Sequence, residues 1–285
     1  MGANLMYKCW LYYFDRGLIE EFPILRTDNT VEQFVLKLPE GVYSTLRTVQ
    51  KTKIFQFSFH LKRLVESYSL SKNFFHFDIT KIREPLQKII NDYPAEEVRI
   101  RMHIPLREPE KCYIILEELS TPGKKAYESG VRVNTNNLTR NNPKAKLTSF
   151  IQKSEKIKKF CKANNLEESI ILSPGKKLLE GLSSNFFAVQ NKQIFTADIE
   201  VLSGATRDII LDEARKAKIE INYSPISYDQ IEKIEEAFIS STSRGLLPVI
   251  KIDDKQVGNG RPGKITTFLL SKLNERMLME AENII

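Results

Sequence analysis

The sequence predicts a mixed α/β protein built from two domains, and three observations support this. The chain has 285 residues, which is more than one hydrophobic core usually organises. Short apolar or alternating segments typical of strands are interspersed with segments of helical periodicity. The segment Ser120–Lys125 combines proline, glycine and charge, as linkers do. We therefore expect an N-terminal domain over residues 1–119, a linker over 120–128 and a C-terminal domain over 129–285.

In the N-terminal domain most segments have the pattern of strands. Alternating or aromatic-rich runs bounded by turn residues predict strands at Tyr7–Phe14, Leu18–Phe22, Val31–Leu38, Gly41–Val49, Val98–Ile104 and Tyr113–Glu118. Apolar residues at helical spacing predict a helix that begins at Phe59. A second helix is expected from Ile79, because Asp78 is a suitable N-cap and Tyr93-Pro94 a suitable stop.

In the C-terminal domain strand and helix patterns alternate. Strands are predicted over 131–133, 169–172, 185–189, 193–196, 219–223, 236–240 and 248–252. Helices are predicted over 149–163, over 206–218, around 228–234 and from Lys264 onwards.

The composition is that of a globular protein, with 41% hydrophobic and 28% charged residues. No apolar run reaches the roughly 18 residues of a membrane span, and Met1–Met6 lacks the pattern of an export signal. We therefore expect a cytoplasmic protein with no membrane partner. The three cysteines and three histidines lack the spacing of disulfide frameworks or metal ligands, so no metal site is predicted.

The formal net charge is +7, which raises the question of nucleic-acid binding. The excess is diffuse, and its densest part, residues 144–162, has the pattern of one solvated helix face. No aromatic RNA-binding strand or recognition helix accompanies it. We expect no nucleic-acid partner, although a positive field favours an anionic ligand.

A glycine-rich segment, Gly258–Gly263, matches the letters of a dinucleotide-binding loop. That motif needs a βαβ unit downstream, and only 22 residues follow Gly263. The related P-loop needs Ser or Thr after Lys264, where the chain has Ile265. We interpret the segment as a turn before the last helix.

Three other features together supply the chemistry of a cofactor site. They are the lysine Lys146, the carboxylate Glu180 in Glu180-Gly-Leu-Ser-Ser-Asn-Phe-Phe187, and the turn Leu202-Ser-Gly-Ala-Thr-Arg207 before a helix. An amine, an acid and free helix N-terminal N–H groups are what pyridoxal 5'-phosphate requires. Taken singly, a surface lysine and a glutamate bonded within a turn are the favoured interpretations of the first two features, and an ordinary N-cap explains the third equally well.

Their order and spacing resemble the class IV aminotransferases, the fold-type IV pyridoxal phosphate enzymes. Glu180 follows Lys146 by 34 residues, the separation found in branched-chain aminotransferases; Lys144 is the alternative lysine. The resemblance implies that Lys146 forms the aldimine with the cofactor and that Glu180 faces the pyridine nitrogen. The cofactor phosphate would be bound by Arg47, Ala205, Thr206, Ser241 and Thr242.

One further segment carries the resemblance, and a neighbouring strand offers a candidate substrate residue. Residues 60–67, His-Leu-Lys-Arg-Leu-Val-Glu-Ser, match a helix marker of the family. Arg99, Arg101 and His103 share one face of a predicted strand, which is either solvent-exposed or lines the active site. By analogy with branched-chain enzymes, Arg101 would bind a substrate carboxylate.

The resemblance implies an α+β fold with a small N-terminal domain and a larger C-terminal domain containing a mixed sheet or barrel, assembled as a homodimer. The implied reaction moves an amino group between an amino acid and a 2-oxo acid. Two alternatives remain open: an aminodeoxychorismate lyase, which releases 4-aminobenzoate and pyruvate by elimination, and a non-catalytic basic binding protein.

Overall fold

The computed structural model describes residues 7–25, 28 and 30–284, which form two compact units. The first contains the described residues up to Ser120, then Ala145–Gln152 and the C-terminal stretch from Met277. The second contains Thr121–Lys144 and Lys153–Arg276. Two segments that the sequence groups with the C-terminal domain thus belong to the first unit.

The secondary structure is mixed, as the sequence predicts. The helices are α1 (Val31–Val35), α2 (Phe57–Leu70), α3 (Arg83–Asp92), α4 (Lys124–Ser129), α5 (Thr148–Ala163), α6 (Ala205–Lys216) and α7 (Lys264–Met279), with short 3-10 helices at Ile79–Ile82 and Tyr228–Lys233. The strands are β1 (Tyr7–Tyr13), β2 (Leu18–Phe22), β3 (Gly41–Val49), β4 (Lys53–Phe55), β5 (Val98–Pro105), β6 (Lys111–Glu118), β7 (Val131–Asn136), β8 (Glu168–Leu172), β9 (Leu178–Gly181), β10 (Asn185–Gln190), β11 (Gln193–Phe195), β12 (Ile221–Asn222), β13 (Glu236–Ser241), β14 (Gly245–Ile252), β15 (Lys255–Gln256) and β16 (Ala281–Glu282).

The first unit is organised by a seven-stranded antiparallel sheet in the order β16-β4-β3-β5-β6-β1-β2. Along β3 the side chains alternate, so Val42, Ser44 and Leu46 are buried on one face. That face packs against α2 and α3 in a core that includes Leu64 and Ile90. The other face carries a second apolar cluster with α1 and the start of α5.

Residues 31–38 are predicted as a strand, and this prediction is wrong. Thr30 caps α1 by accepting a hydrogen bond from the Gln33 N–H. Val31, Phe34 and Val35 are the buried residues of this helix, a spacing of three and four that a helix face provides. The apolar run is short enough to be compatible with a strand or a helix, and the N-cap hydrogen bond favours the helix.

The second unit contains a nine-stranded mixed sheet that closes on itself. Its strand order is β12-β11-β10-β13-β14-β7-β8-β9, with β15 paired to β14. An additional antiparallel pairing of Glu180 on β9 with Asn185 on β10 joins the last strand of this order back to its third strand. Strands β10, β13, β14, β7, β8 and β9 therefore form a barrel, as expected for the C-terminal domain.

The predicted element boundaries differ from the observed ones mainly where the chain turns. The strand predicted over 219–223 is only two residues long, and β9, which carries Glu180, has no strand pattern strong enough to be predicted. The linker predicted over 120–128 contains most of α4. These segments are short, so their pairing partners rather than local sequence determine their conformation.

The glycine-rich segment is a turn that leads into α7, as the sequence indicates. The carboxylate of Glu236 accepts hydrogen bonds from the N–H groups of Ile265 and Thr266, at 3.1 and 2.7 Å. It also accepts one from the Thr266 hydroxyl at 2.7 Å. An internal anion therefore occupies the N-terminus of α7, where a nucleotide phosphate would otherwise bind. Within the described ranges, no helix has both the length and the hydropathy of a membrane span.

Replacing Phe238 with Ala tests the packing of the barrel unit. Phe238 is fully buried and stacks on Phe187, its partner across β10 and β13, with centroids 4.7 Å apart. We expect Phe238→Ala to lower the free energy of unfolding by roughly 3–5 kcal/mol. Phe160→Ala is the control because Phe160 is 53% exposed, and we expect a change below about 0.5 kcal/mol. Equal effects in urea unfolding would show that Phe238 does not contribute as described.

Candidate active site

Glu180 lies buried at the point where the barrel closes. It is 2% exposed, and its Oε2 accepts a hydrogen bond from the Leu202 N–H at 3.1 Å. Its Oε1 lies 3.3 Å from Nε of Arg140, a guanidinium that is itself largely buried. A buried carboxylate is costly unless it is paired, and Arg140 supplies the opposite charge. Glu180 thus has the partners of an ionised group.

The loop before α6 is held against this carboxylate from both sides. The Asn185 side-chain amide donates to the Leu202 carbonyl oxygen at 2.8 Å, so Glu180 and Asn185 together fix both polar groups of one peptide residue. The Asn185 side chain also lies against the backbone of Gly204, where any Cβ would collide with it. Glycine is needed here because of this close approach.

The N-terminus of α6 opens next to this loop. Gly204 is the N-cap residue and provides no side-chain hydrogen bond, so the first N–H groups of the helix, including those of Ala205 and Thr206, are not capped by it. Among the described residues, neither the Thr206 nor the Ser240 hydroxyl has a hydrogen-bond partner, although both residues are 2% exposed. Unsatisfied buried hydroxyls beside an uncapped helix start are suited to bind an anion.

Ser241 and Thr242 lie where β13 ends and turns into β14. The turn covers Thr242–Arg244 and ends at Gly245, whose φ of +66° favours glycine. The Ser241 hydroxyl accepts a hydrogen bond from Nε of Arg244 at 3.2 Å. Arg244 therefore binds the end of β13 next to its own turn, and the two predicted phosphate-binding residues lie at this junction.

Arg244 also joins a buried charged network. One Nη2 hydrogen bond goes to Glu168 Oε2 at 2.8 Å, and the same oxygen accepts bonds from the hydroxyls of Ser183 and Ser184 at 2.8 and 3.0 Å. Burial alone would raise the pKa of the Glu168 carboxyl, but the charge of Arg244 and the hydrogen bonds from Arg244 and Ser183 outweigh it. The pKa of Glu168 is consequently held below 4.5.

Lys146 belongs to the first unit and lies two residues before α5. Its backbone is fixed at both polar groups: its N–H donates to the Ser67 hydroxyl at 3.1 Å and its carbonyl accepts from the Tyr43 N–H at 3.0 Å. Its Nζ lies 5.0 Å from the centre of the Tyr43 ring. Lys144, the alternative lysine, belongs to the second unit and donates to the Asp198 carbonyl at 2.6 Å.

The helix marker at residues 60–67 contributes to this arrangement through its polar residues. His60, Arg63 and Ser67 lie on one buried face of α2, where Arg63 donates to the Ser44 hydroxyl at 2.8 Å. Burial, followed by the charges of Arg63 and Lys146, holds the pKa of His60 well below 6.5, so His60 is neutral at physiological pH. The motif therefore connects α2 to both β3 and the lysine loop.

Arg101 is also buried in the first unit, so the exposed alternative for its strand face is wrong for this residue. It is 8% exposed, and its guanidinium carbon lies 5.6 Å from the Tyr43 ring that Lys146 also contacts. Among the described residues, its Nε and Nη1 atoms have no hydrogen-bond partner. Burial and then the charge of Arg99 lower its pKa, which shows how poorly this cation is compensated. An anionic ligand would compensate it.

Arg47 lies on the same face of β3 as Tyr43, two alternations further along the strand. It is half-buried, and its Nε donates to the Thr48 carbonyl at 3.3 Å. The first unit therefore brings Lys146 and Arg101 together around Tyr43, with Arg47 further along the strand. The second unit brings together Glu180, the α6 N-terminus and the Ser241–Thr242 turn.

Sequence reasoning missed several residues of this arrangement. Arg140 and Arg244 are single arginines in loops, and no local pattern shows that they pair with Glu180 and Glu168. Ser67 is part of a recognised motif, but only the fold reveals its bond to Lys146. In each case the partner is distant in sequence, so the contact can be recognised only from the tertiary structure.

The chain is similar to known proteins over most of its length. The family described as amino-transferase class IV matches residues 41–252, most of the chain. This chain belongs to the class IV aminotransferases. Members of this family are enzymes that use pyridoxal 5'-phosphate, and this aminotransferase is accordingly a pyridoxal phosphate enzyme.

Several curated relatives cover most of the aminotransferase. A branched-chain-amino-acid aminotransferase of Pseudomonas aeruginosa is 24% identical over 249 residues, 80% of this chain and 81% of the relative. A D-alanine aminotransferase of Listeria monocytogenes is 24% identical over 271 residues, 88% of this chain and 92% of the relative.

Solved structures share the fold of this aminotransferase. A putative branched-chain amino acid aminotransferase from Thermotoga maritima superposes with a TM-score of 0.77 at 21% identity, covering 96% of this chain and 98% of the other. A T.th. branched-chain amino acid aminotransferase, solved with pyridoxamine 5'-phosphate, has a TM-score of 0.78 at 20% identity and covers 97% and 96%.

The described residues fit the cofactor of the family. The partnerless hydroxyls of Thr206 and Ser240 and the uncapped α6 N-terminus suit a phosphate. The buried Glu180 carboxylate, which accepts from the Leu202 N–H and lies 3.3 Å from Arg140 Nε, is the kind of acid that suits the ring nitrogen.

Replacing Glu168 with Gln tests the charged network through its pH dependence. Because the folded pKa lies below 4.5, the wild type gains stability above that pH and loses it as the pH falls through the folded pKa. We expect Glu168→Gln to be less stable by roughly 3 kcal/mol at neutral pH, since it leaves Arg244 incompletely paired. The difference should shrink steadily below pH 4.5.

Glu167→Gln is the matched control for this prediction. Glu167 also bonds Arg244, but its side chain is 26% exposed whereas that of Glu168 is 4% exposed. We expect a loss under about 1 kcal/mol because exposed pairs contribute little. Urea unfolding between neutral pH and pH 3 measures both, and a pH-independent difference for Glu168→Gln would contradict the described ion pair.

Proposed function

We propose that this enzyme transfers an amino group between an amino acid and a 2-oxo acid, with Lys146 as the residue that carries the cofactor. The observation that supports this most strongly is the pairing of buried Glu180 with Arg140 and with the Leu202 N–H. It couples a buried acid to the loop that leads into a helix N-terminus without a side-chain cap. Those are the two kinds of group that recognise the opposite ends of pyridoxal phosphate.

Glu180 would face the pyridine nitrogen of the cofactor. Bound pyridoxal phosphate supplies an electron sink for the bonds to the substrate Cα. The task of Glu180 is to keep a proton on the ring nitrogen, which an ionised carboxylate does. Arg140 favours the ionised form of Glu180, so we assign Arg140 a supporting role at this end.

The phosphate would be bound by N–H groups and hydroxyls of the second unit and by an arginine. Ala205 and Thr206 offer the first N–H groups of α6, and the buried Thr206 hydroxyl offers a further donor. Ser241 and Thr242 add the turn after β13. We also assign Arg47 to the phosphate, because a guanidinium makes charge-assisted bonds to its oxygens.

Lys146 would both bind the cofactor and move the substrate proton. A lysine amine that bonds covalently to an aldehyde and is released by the substrate amine can then accept the Cα proton as a general base. The Ser67 and Tyr43 hydrogen bonds fix its backbone, so only the side chain needs to move. The position of Nζ is therefore determined by the rotamer of the Lys146 side chain alone.

Arg101 would bind a carboxylate of the substrate. It is a buried cation with two guanidinium nitrogens lacking partners among the described residues, which is a costly arrangement without an anion. The homodimer and the cytoplasmic location expected from the resemblance stay predictions. Light scattering of the purified chain tests the first of them.

Borohydride reduction of the purified enzyme tests the role of Lys146. We expect mass spectrometry to find the reduced cofactor on Lys146, because borohydride converts the C=N bond of a Schiff base into a stable secondary amine. Lys146→Ala should lose the adduct and lower activity by at least about 10³-fold, since it lacks the general base. Lys144→Ala is the matched control and should keep the adduct. An adduct on Lys144 in the wild type would refute the assignment.

The reaction type is tested by adding amino acids to the same preparation. We expect the bound cofactor to convert to its pyridoxamine form and to return only when a 2-oxo acid is supplied. A lyase would instead return without an added acceptor and would release pyruvate. A chain that binds no cofactor would support the binding-protein alternative.

Replacing Arg101 with Met tests the substrate carboxylate site. We expect KM for the amino donor to rise roughly ten- to a hundredfold, the range for losing a hydrogen bond to a charged group. Arg99→Met is the control: its guanidinium is bonded to Glu117 at 2.6 Å and should change KM less than about threefold. Similar KM values for the two variants would exclude Arg101 from substrate binding.

A further inference from the structure

The side chain of Arg244 contacts more segments of the barrel unit than its position in a short turn suggests. Its hydrogen bonds reach the Ser241 hydroxyl from Nε, the Glu167 carboxylate from Nη1, and the Glu168 carboxylate and Ser183 hydroxyl from Nη2, at 3.2, 3.0, 2.8 and 3.0 Å. Its own carbonyl accepts from the Tyr127 hydroxyl at 2.8 Å. All three guanidinium nitrogens therefore donate hydrogen bonds.

Two of these contacts belong to turns that the proposed function assigns to opposite ends of the cofactor. Ser241 lies in the phosphate-binding turn. Ser183 lies three residues after Glu180, in the turn that joins β9 to β10. Arg244 donates to both hydroxyls, so one rigid planar group connects the two turns.

Glu168 extends this connection to the rest of the second turn. Its Oε2 accepts from the Ser183 N–H at 3.2 Å as well as from the Ser183 and Ser184 hydroxyls. Its Oε1 accepts from the Ser169 N–H at 3.1 Å. The backbone of Gly181 lies so close to Glu168 that a Cβ there would collide with the Glu168 side chain. The turn after Glu180 is thus held in place by the Glu168 carboxylate, which Arg244 also binds.

We propose that Arg244 is a positioning residue that sets the spacing between the Ser241–Thr242 turn and the Glu180–Ser184 turn. The inference rests on the proposed function, in which these turns bind the two ends of one cofactor. Arg244 itself contacts neither end. It acts through Ser241 on one side and through Ser183 and Glu168 on the other.

This role predicts that the loss of Arg244 affects the affinities for a long and a short ligand differently. Pyridoxal 5'-phosphate is a rigid ligand with its phosphate and ring nitrogen at a fixed separation, so it binds tightly only when both turns are correctly spaced. Inorganic phosphate uses only the groups proposed for the phosphate end and does not depend on the Glu180–Ser184 turn. Loosening the spacing therefore weakens the long ligand selectively, whereas a general loss of structure weakens both.

The test compares these two ligands on the full-length purified chain carrying Arg244→Met. Rebinding of pyridoxal 5'-phosphate is followed by its visible absorbance, and inorganic phosphate is titrated as a competitor. We expect the affinity for pyridoxal 5'-phosphate to fall at least about tenfold and the affinity for inorganic phosphate to change less than about twofold. Arg215→Met is the matched control, because its guanidinium bonds only an exposed tyrosine, Tyr223, among the contacts described, and both affinities should stay unchanged.

Ser183→Ala keeps the test decisive if Arg244→Met does not fold. It removes the hydroxyl that bonds both Arg244 and Glu168 without leaving a charge unpaired, and the same selective loss is expected on a smaller scale. Equal losses for the two ligands, or no loss for pyridoxal 5'-phosphate, would overturn the positioning role while leaving the proposed function intact. A wild-type chain that fails to bind pyridoxal 5'-phosphate would overturn both.

Discussion

The closure of the barrel between Glu180 and Asn185 is the constraint on which the site in the second unit depends. The pairing of β9 with β10 places a carboxylate and an amide side by side, and both bind Leu202, one through its N–H and one through its carbonyl. That double contact fixes the path of the loop into α6. The helix N-terminus is consequently placed by strand pairing, which is far more rigid than a free loop.

In the first unit, buried polar residues serve a similar purpose. The face of α2 that carries His60, Arg63 and Ser67 is a costly one to bury, because each polar group must find a partner away from water. The partners include Ser44 on β3 and the backbone of Lys146. The helix thereby ties a strand and a loop that are about 100 residues apart in sequence, and it does so through directional bonds.

The sequence predicts the fold well where elements are long and periodic. Strand β3 and the start of α7 are predicted at their observed positions, because alternation and helix start signals are strong there. The segment Val31–Val35 is misassigned, because five mostly apolar residues are compatible with either a strand or a helix. The N-cap hydrogen bond to Thr30 stabilises the helix. The short strand of Glu180 is missed because its neighbours, not its own residues, make it a strand.

In the candidate site, too, local features are predicted from the sequence and contacts between distant segments are not. Glu180 and the residues around Gly204 are predicted because their order along the chain resembles a known family, whereas Arg140 and Arg244 are visible only once distant segments meet. Physical chemistry explains this difference. A turn that offers N–H groups is a local property, but the charge that compensates a buried carboxylate can come from anywhere in the chain.

Helices α6 and α7 of the second unit both start after a glycine, but their first turns differ in what they bind. Glu236 fills the start of α7 with an internal carboxylate, while Gly204 brings no side chain to the start of α6. The start of α7 thus already has an internal anion bonded to its N–H groups, whereas the N-cap residue of α6 supplies no side-chain hydrogen bond. A built-in carboxylate therefore competes with any anionic ligand at one of these two backbone sites, and the proposed phosphate site is the other one.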